Sequence, residues 1–335
     1  MISDTSNPLR MAVYGTKHSH SAGVTSTMLA NEDIEVVGVY EPDRERRWEL
    51  EASGTSPWSD LTWIDHKSDI LDDPSIAAIA SEGANIESLD HTEEIVAAGK
   101  HVLYDKPAGD DYARFERIVA TARERGLLVQ LGYMWRYHDG LKRIADWARS
   151  GFLGEVFSIR AHLSTNIPRE SQDPSKVPAG GVFYDLASHM LDQIVWTLGR
   201  PSRVTSFLRE DVNMTNGFAT NSLGVFEYDD AMAIVDIAAM EPRPVARRYE
   251  VYGTAGSAII EPIEPAGPIR LALTEPRGEY PAGVSLVDVE DRPRYVAGLA
   301  AFIQDIRGEK EPDRSLDHEL LVQETLLRAT GSVSS

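Results

Sequence analysis

The first part of the chain, roughly 130 residues long, alternates short apolar runs with helical segments. This pattern constrains the fold more than any other feature of the sequence. The run Leu9–Tyr14 ends at Gly15, and the run EVVGVY at 35–40 is apolar almost throughout, as a strand buried on both faces requires. Such alternation predicts parallel βαβ units in a doubly wound sheet of the Rossmann type. The other predicted strands are 76–80, 101–104 and 127–131, and the predicted helices are 21–29, 88–98 and 112–125.

The pattern changes after residue 132, where strand-like runs begin to follow one another directly. Helices are predicted at 141–150 and 182–198, and strands at 156–164, 203–208, 222–228, 231–239, 249–252 and 258–260. Successive strands favour a C-terminal α+β domain on a largely antiparallel open sheet. We therefore predict an α/β protein with a Rossmann dinucleotide-binding domain (1–132) and an α+β substrate-binding and oligomerisation domain (133–335). A last helix at 316–329 is expected to pack back on the first domain.

Composition narrows the classes of partner. The 335 residues include 53 acidic and 33 basic side chains, for a formal net charge of −20, and contain no cysteine. A surface this acidic repels nucleic acid and anionic lipid, and without cysteine there is no disulfide or thiolate metal site. No apolar run approaches the roughly 20 residues needed to cross a bilayer, and residues 1–8 are too polar for a signal peptide. A cytoplasmic protein without nucleic-acid or membrane partners is expected.

The turn after the first strand, Gly15-Thr16-Lys17-His18-Ser19-His20, is the first candidate site. A dinucleotide turn of the form G-x-G-x-x-G lets the backbone approach the pyrophosphate at a helix N-terminus. Here only Gly15 matches, because Lys17 and His20 occupy the other two glycine positions. We predict that residues 15–18 bind the pyrophosphate, with a turn that has lost its cofactor as the alternative.

The residues of this turn also suggest a second possibility, a metal site. His18 and His20 are two residues apart, and imidazoles are common metal ligands. Two histidines without a nearby carboxylate rarely suffice, so no metal is predicted.

Glu41 follows the second strand and is placed to accept hydrogen bonds from the adenosine ribose hydroxyls. An acid at this position favours NAD over NADP. Arg44, together with Arg46 and Arg47, offers the opposite possibility, since a guanidinium can bind a 2′-phosphate. The cofactor is therefore predicted to be NAD or NADP, with NAD slightly favoured; a solvated helix start is the alternative for this acid.

Two further segments carry groups suited to proton transfer. Lys106 lies at the end of a predicted strand, where ligands bind in open α/β sheets, and its ammonium can polarise a substrate oxygen. Asp185, His189 and Asp192 are spaced four and three residues apart, which places them on one face of a helix. An imidazole there has the right intrinsic pKa to accept a hydroxyl proton near neutral pH. A surface lysine and a purely structural helix face are the alternatives.

At this point the chain resembles the Gfo/Idh/MocA oxidoreductases, which include glucose–fructose oxidoreductase and inositol dehydrogenase. The segment AGKHVLYDKP at 98–107 is similar to the family pattern A-G-K-H-V-x-x-E-K-P. The run beginning Gly180-Gly181 is similar to G-G-x-x-x-D-x-x-x-H-x-x-D, and LGEV at 153–156 is similar to L-G-x-V. Asp105 replaces the family's glutamate, and Glu82-Gly83-Ala84 replaces the usual Thr-Pro approach to Asn85.

The resemblance implies the roles of several residues. It implies catalysis by Lys106, Asp185 and His189, with His189 as general base while hydride passes to the nicotinamide. Asn85 and Arg136 match cofactor-side positions of the family. Tyr133 and Trp135 suit a wall that stacks on a sugar, with a role in the core as the alternative. The implied substrate is a sugar, a cyclitol or a sugar derivative, and the implied assembly is a homodimer or homotetramer formed through the open sheet.

Three functions remain open on the sequence. The first is an NAD(P)-dependent dehydrogenase or reductase that acts on a sugar hydroxyl or carbonyl. The second is a redox-neutral lyase or glycosidase that holds NAD tightly and regenerates it in each turnover. The third is a descendant that binds a ligand without any cofactor, which the substitution of glycine by Lys17 favours.

Overall fold

The structure is a computed structural model that describes residues 7–210 and 216–333. Most of the polar amino-terminal segment, residues 1–6, lies outside the described residues. The chain divides into two compact units. The first combines the chain up to Gly132 with Arg294–Leu320, and the second combines Tyr133–Pro293 with the chain from Leu321 onward. The predicted boundary after residue 132 assigns Arg294–Leu320 to the second domain instead.

The first unit is built on a parallel sheet. Among the described residues this sheet has five strands in the order β2-β1-β3-β4-β5, and every strand pair is parallel. The strands are β1 (Leu9–Tyr14), β2 (Ile34–Tyr40), β3 (Ala78–Ser81), β4 (His101–Tyr104) and β5 (Val129–Leu131). The helices between them are α1 (Ser21–Leu29), α2 (Arg44–Ser53), α3 (Ser68–Leu71), α4 (Ser88–Ala97) and α5 (Tyr112–Arg125). The predicted Rossmann sheet is confirmed.

The second unit is built on a larger sheet with the order β13-β12-β11-β10-β6-β9-β8-β7 over the described residues. The pair β6–β9 is parallel and the other pairs are antiparallel, which confirms the predicted largely antiparallel sheet. The elements are α6 (Asp139–Arg149), β6 (Val156–His162), α7 (Val182–Leu198), β7 (Arg203–Arg209), β8 (Asn221–Glu227), β9 (Met232–Ala238), β10 (Arg248–Gly253), β11 (Gly256–Ile260), β12 (Ile269–Leu273) and β13 (Gly283–Val287).

One face of this second sheet is covered and the other is open. In β9, Ala233, Val235 and Ile237 are buried, whereas Met232 and Ile234 on the alternate positions are partly or largely exposed. The helix α7 packs against β8 and β9 and supplies the cover. Residues of a strand alternate between faces, so each strand contributes one row to the core and one row to the open face.

Two helices follow the second sheet, α8 (Val296–Arg307) and α9 (Leu316–Thr330). Leu299, Phe302 and Ile303 of α8 are buried in the same core as Met11 and Val13 of β1. Each such apolar side chain contributes about 1.5–3 kcal/mol when it leaves water. The core of the first unit is therefore completed by α8, which follows the strands of the second sheet in the chain. Over the described residues, no helix is both long enough and apolar enough to pass through a membrane.

Candidate functional site

The carboxyl ends of the parallel strands bring together the residues predicted to bind the cofactor. Backbone hydrogen bonds join the ends of neighbouring strands: Gly15 N–H donates to Tyr40 O (2.8 Å), and Glu82 N–H donates to Tyr14 O (2.8 Å). His18 N–H donates to Glu82 O (3.0 Å). The turn at 15–20 and the segments after β2, β3 and β4 thus form one edge, which is where open α/β sheets bind ligands.

Gly15 is required by the backbone of this turn. Its φ is +83°, and a Cβ there would lie 2.9 Å from Gly83 Cα, closer than real side chains come. Only glycine permits both the conformation and the approach. The helix α1 then begins without a side-chain capping hydrogen bond from His20. Ser21 N–H donates to His18 O (3.1 Å), so an anion would bind to the N–H groups that follow Ser21. These features fit a dinucleotide pyrophosphate.

Glu41 lies at the end of β2 and is almost fully buried. Thr16 Oγ1 donates to Glu41 Oε2 (2.6 Å), and Asp43 N–H donates to Glu41 Oε1 (2.9 Å). Each carboxylate oxygen retains a second lone pair for a ribose hydroxyl. Arg44 is exposed, so its predicted role toward a 2′-phosphate rests on a side chain at the surface.

Lys17, at the second glycine position of the turn, is held by two carboxylates. Its Nζ lies 3.0 Å from Asp43 Oδ2 and 2.7 Å from Glu87 Oε1. Burial lowers the pKa of Lys17, but the hydrogen bonds to these two acids outweigh that effect and raise it. The ammonium is therefore directed toward these acids, and its charge is largely balanced.

His18 and His20 both contact one carboxylate. His18 Nδ1 lies 2.7 Å from Asp105 Oδ2, and His20 Nδ1 lies 3.2 Å from Asp105 Oδ1. Burial lowers the pKa of His20 against the opposing effect of Asp105. The absence of a metal site was predicted on the premise that no carboxylate lies nearby. That premise is wrong, because β4 ends beside the turn and delivers Asp105 to both imidazoles.

A second buried carboxyl, Glu82, adjoins this group. Burial, and then the charge of Asp105, raises the pKa of Glu82 well above its usual range. Burial also acts to raise the pKa of Asp105, but the adjacent His18 and His20 outweigh it and hold that pKa well below normal. At neutral pH we expect Glu82 to be protonated and Asp105 to be ionised.

Lys106 and Asn85 both lie at this edge of the sheet. Lys106 is almost fully buried at the end of β4, and its N–H donates to Asp105 Oδ1 (2.7 Å). The carboxamide oxygen Oδ1 of Asn85 is buried and accepts no hydrogen bond from the described residues. A buried polar atom of this kind is suited to a bound ligand. Ser88, at the position where the family has histidine, donates its hydroxyl to Ala84 O (3.0 Å).

Tyr295 packs beside the turn from the second segment of the first unit. A Cβ on Gly23 would come within 2.7 Å of its ring atom Cε2, and its ring centroid lies 5.7 Å from that of His20. Gly23, which falls three residues beyond the third glycine position, therefore allows Tyr295 to pack closely against α1. Tyr295 was not predicted at this site, because it lies more than 270 residues away in the chain.

In the second unit, α7 presents the predicted proton-transfer residues. Asp185 is half-buried in the first turn of the helix, and His189 is buried one turn later. The ring of His189 lies 5.0 Å from Trp135 and 6.2 Å from Tyr133, centroid to centroid. Both aromatic rings are buried, as expected for a core role, and the predicted general base packs against them.

Arg136 and Asp192 form a buried ion pair in the same unit. Arg136 Nη2 lies 2.8 Å from Asp192 Oδ1, and both side chains are almost fully excluded from solvent. The pair joins α7 to the segment that follows β5 and fixes both backbones beside His189. Breaking it would leave an uncompensated buried charge, at a cost of about 3–5 kcal/mol. A contact between Arg136 and a cofactor stays a prediction.

Comparisons with known proteins identify the family. The model described as "Oxidoreductase family, NAD-binding Rossmann fold" matches residues 9–133, and the GFO/IDH/MocA C-terminal domain model matches residues 141–259. The chain belongs to the GFO/IDH/MocA oxidoreductase family. The family predicted from the three sequence motifs is confirmed.

Individual relatives are distant. The chain is 29% identical over 203 residues to the uncharacterized oxidoreductase YhhX of Escherichia coli (strain K12), covering 60% of this chain and 58% of that protein. It is 25% identical over 202 residues to the D-glucoside 3-dehydrogenase of the same strain, covering 59% of this chain and 56% of that enzyme. The chain thus matches about three fifths of the length of these curated relatives.

The fold extends over nearly the whole chain in solved structures. The crystal structure of GenD2 from gentamicin A biosynthesis, in complex with NAD, has a TM-score of 0.78 and 20% identity, covering 99% of this chain and 96% of that one. At this identity the likeness establishes the fold alone.

Proposed function

We propose that the protein is an NAD(P)-dependent dehydrogenase or reductase that transfers hydride between a nicotinamide and a hydroxyl or carbonyl of a sugar, cyclitol or sugar derivative. The proposal rests on the residues that lie at the carboxyl edge of the parallel sheet. There Gly15, Glu41, Asn85 and Lys106 lie in segments that follow neighbouring strand ends, which is where open α/β sheets bind dinucleotides. The family match and the similarity to a D-glucoside 3-dehydrogenase support the substrate class.

The first unit holds the cofactor in this proposal. The turn at 15–18 binds the pyrophosphate and Glu41 binds the adenosine ribose, which favours NAD because a 2′-phosphate would meet a buried acid. Asn85 and Lys106 lie toward the nicotinamide end. When bound, the nicotinamide supplies hydride transfer, and the protein supplies orientation and charge.

The second unit supplies the substrate side. His189 takes the proton of the reacting hydroxyl as general base, and Asp185 orients that hydroxyl from the preceding helical turn. Tyr133 and Trp135, both buried, pack against the imidazole of His189 and restrict its orientation. The buried Arg136–Asp192 pair positions α7, so that His189 is held in place before substrate arrives.

Two alternatives from the sequence gain no support. A redox-neutral lyase or glycosidase has no counterpart in the oxidoreductase activity of the family or of the D-glucoside 3-dehydrogenase. A descendant without a cofactor is disfavoured, because Lys17 is held by Asp43 and Glu87 and the turn retains Gly15.

The deciding experiment is native mass spectrometry of the purified protein, alone and with NAD, NADP and their reduced forms. One dinucleotide per subunit is expected, with NAD bound more tightly than NADP. Cofactor-loaded protein is then screened against sugars and cyclitols by absorbance of the reduced nicotinamide.

Each result bears on a different part of the proposal. A dinucleotide already bound without additions, together with turnover that needs no added cofactor, would favour the redox-neutral alternative. No binding of any nicotinamide at millimolar concentration would overturn the dehydrogenase assignment. As a control, Glu41→Gln should weaken the preference for NAD while leaving the fold intact.

A further inference from the structure

We propose that His18, His20 and Asp105 form a binding site for a divalent transition-metal ion at the carboxyl edge of the first sheet. Each side chain offers one ligand atom, and these three atoms lie within 4.8 Å of one another. This inference goes beyond the proposed function, although His18 is also a proposed cofactor contact.

The site is assembled by the fold and not by sequence proximity. His18 and His20 lie in the turn between β1 and α1, and Asp105 follows β4, 85 residues after His20. The backbone hydrogen bonds that tie the turn to Glu82, and Asp105 N–H to Ser81 O (3.1 Å), fix these segments against one another. All the residues involved belong to the first unit.

Among the described residues, two buried carboxyl oxygens at this point have no well-aligned hydrogen-bond donor. They are Asp105 Oδ2 and Glu82 Oε2, and both side chains are more than nine-tenths buried. Asp105 Oδ2 lies 2.7 Å from His18 Nδ1, while the same nitrogen accepts a hydrogen bond from His20 N–H (3.2 Å). A histidine ligand must give up the proton that it would otherwise place between these two atoms, so a metal ion takes the place of that proton. A cation between them would satisfy both.

The chemistry of the donors selects the class of ion. Imidazole nitrogen with carboxylate oxygen suits Zn²⁺, Co²⁺ and related first-row ions, whereas Mg²⁺ and Ca²⁺ prefer oxygen ligands alone. Ligand atoms about 2.1 Å from a tetrahedral ion lie roughly 3.4 Å apart. The three side chains therefore close on an ion with shifts of about an ångström. Glu82, protonated at neutral pH, is available as a hydrogen-bond partner that orients Asp105.

The test is a Co²⁺ and Zn²⁺ titration of the full chain carrying no affinity tag. Because the chain has no cysteine, visible Co²⁺ absorption can arise only from nitrogen and oxygen ligands. We expect one ion per chain, and it should resist a large excess of Mg²⁺. The acidic surface binds divalent ions weakly, and the Mg²⁺ excess removes that background.

Variants locate the ion. His18→Asn and His20→Asn should each weaken Zn²⁺ binding by about tenfold or more, since even outer-shell changes reach that size. His66→Asn, an exposed histidine of the same unit, should leave it unchanged. Spin-echo spectroscopy of wild-type protein loaded with Cu²⁺ counts coordinating imidazoles without any variant, and two are expected.

The proposal is overturned if the wild-type chain retains no Zn²⁺ or Co²⁺ in excess Mg²⁺, or if fewer than two imidazoles coordinate. Unchanged affinity in both histidine variants, with native circular dichroism, would overturn it as well. Nicotinamide binding is measured in a separate titration. Loss of dinucleotide binding with the metal site intact would count against the proposed function alone.

Discussion

A single side chain in the phosphate turn shows how a changed motif can keep a dinucleotide site. Lys17 takes the place of a glycine, yet its ammonium is held by Asp43 and Glu87. Its charge is therefore balanced before any cofactor arrives. The substitution changes the electrostatics of the turn without adding a free cation to it.

This balance leads to a prediction for Lys17→Met. Removing the ammonium leaves two carboxylates uncompensated beside the turn, so NAD should bind about three- to tenfold more weakly, as expected for partly exposed charges. Titration calorimetry measures the change. The double variant Lys17→Met/Glu87→Gln should recover part of the affinity, and the loss should shrink at high salt. Tighter NAD binding by Lys17→Met would show that the lysine obstructs the site.

A second prediction at this scale concerns His189. His189→Ala should lower kcat at least about a hundredfold, as for loss of a general base, and should leave NAD affinity within about twofold. Steady-state kinetics on the substrate found by screening, with a separate NAD titration, gives both numbers. His162→Ala, at a histidine in the second sheet, is the matched control. Unchanged kcat in His189→Ala would remove this histidine from the mechanism.

How far the site could be predicted depends on how its residues are joined. The spacing of Asp185 and His189 is local, so the helical period alone places them on one face. The contact of Asp105 with His18 depends on the order of strands in the sheet, which no local pattern encodes. The same holds for Tyr295, which reaches α1 from the far end of the chain.

Among the elements, those with strong periodicity matched the structure and those at edges did not. The bounds predicted for β1, α1, β4, α5 and α7 agree with the structure. Three elements, β12, β13 and α8, were not predicted. The strand β13 is the edge of its sheet and is mostly exposed, so it lacks an apolar row. Gly298 interrupts the pattern of α8, and its burial against β1 outweighs that weakness.

One contact between two strands carries a pH dependence. His101 Nδ1, at the start of β4, accepts a hydrogen bond from Leu128 N–H (3.0 Å) just before β5. Burial lowers the pKa of His101, so the folded protein keeps this imidazole neutral. Below a pH of about 6.5 the unfolded chain binds a proton that the folded chain resists.

We therefore expect the free energy of unfolding to be fully retained above about pH 6.5. It should fall as pH decreases from about 6.5 toward the lowered pKa of His101. Denaturant titrations at several pH values measure this slope. His101→Gln, which can accept the same hydrogen bond without titrating in this range, should reduce the slope. His66→Gln, at an exposed histidine, should not. An identical slope in both variants would contradict the assignment to His101.

At the scale of the whole molecule, the open face of the second sheet leaves large apolar side chains exposed to solvent. Phe207, Met232, Val284 and Leu286 are exposed, and each is about half or more accessible. The paired strands place Phe207 beside Leu223 and Val284 beside Ala272 on this face. An extended apolar sheet face favours self-association, as expected for the homodimer or homotetramer.

We expect native mass spectrometry and light scattering to show a dimer or tetramer at micromolar concentration. Ile234→Glu, in the central strand β9, should shift the population toward monomer because it places a charge in the interface. Trp48→Glu, at an exposed aromatic residue of α2 in the other unit, is the control and should not change the assembly. A monomeric wild-type chain would contradict the expected interface.

The return of α8 to the first core has a consequence for biosynthesis. The strands β1–β5 leave the ribosome early, but Leu299, Phe302 and Ile303 emerge only near the end of translation. At about 5–20 residues per second, the nascent first sheet waits roughly 10–35 s with part of its apolar surface uncovered. During that interval it depends on chaperones or on the ribosome surface. A premature stop codon after the second sheet would therefore expose both units to degradation, although each sheet would be complete.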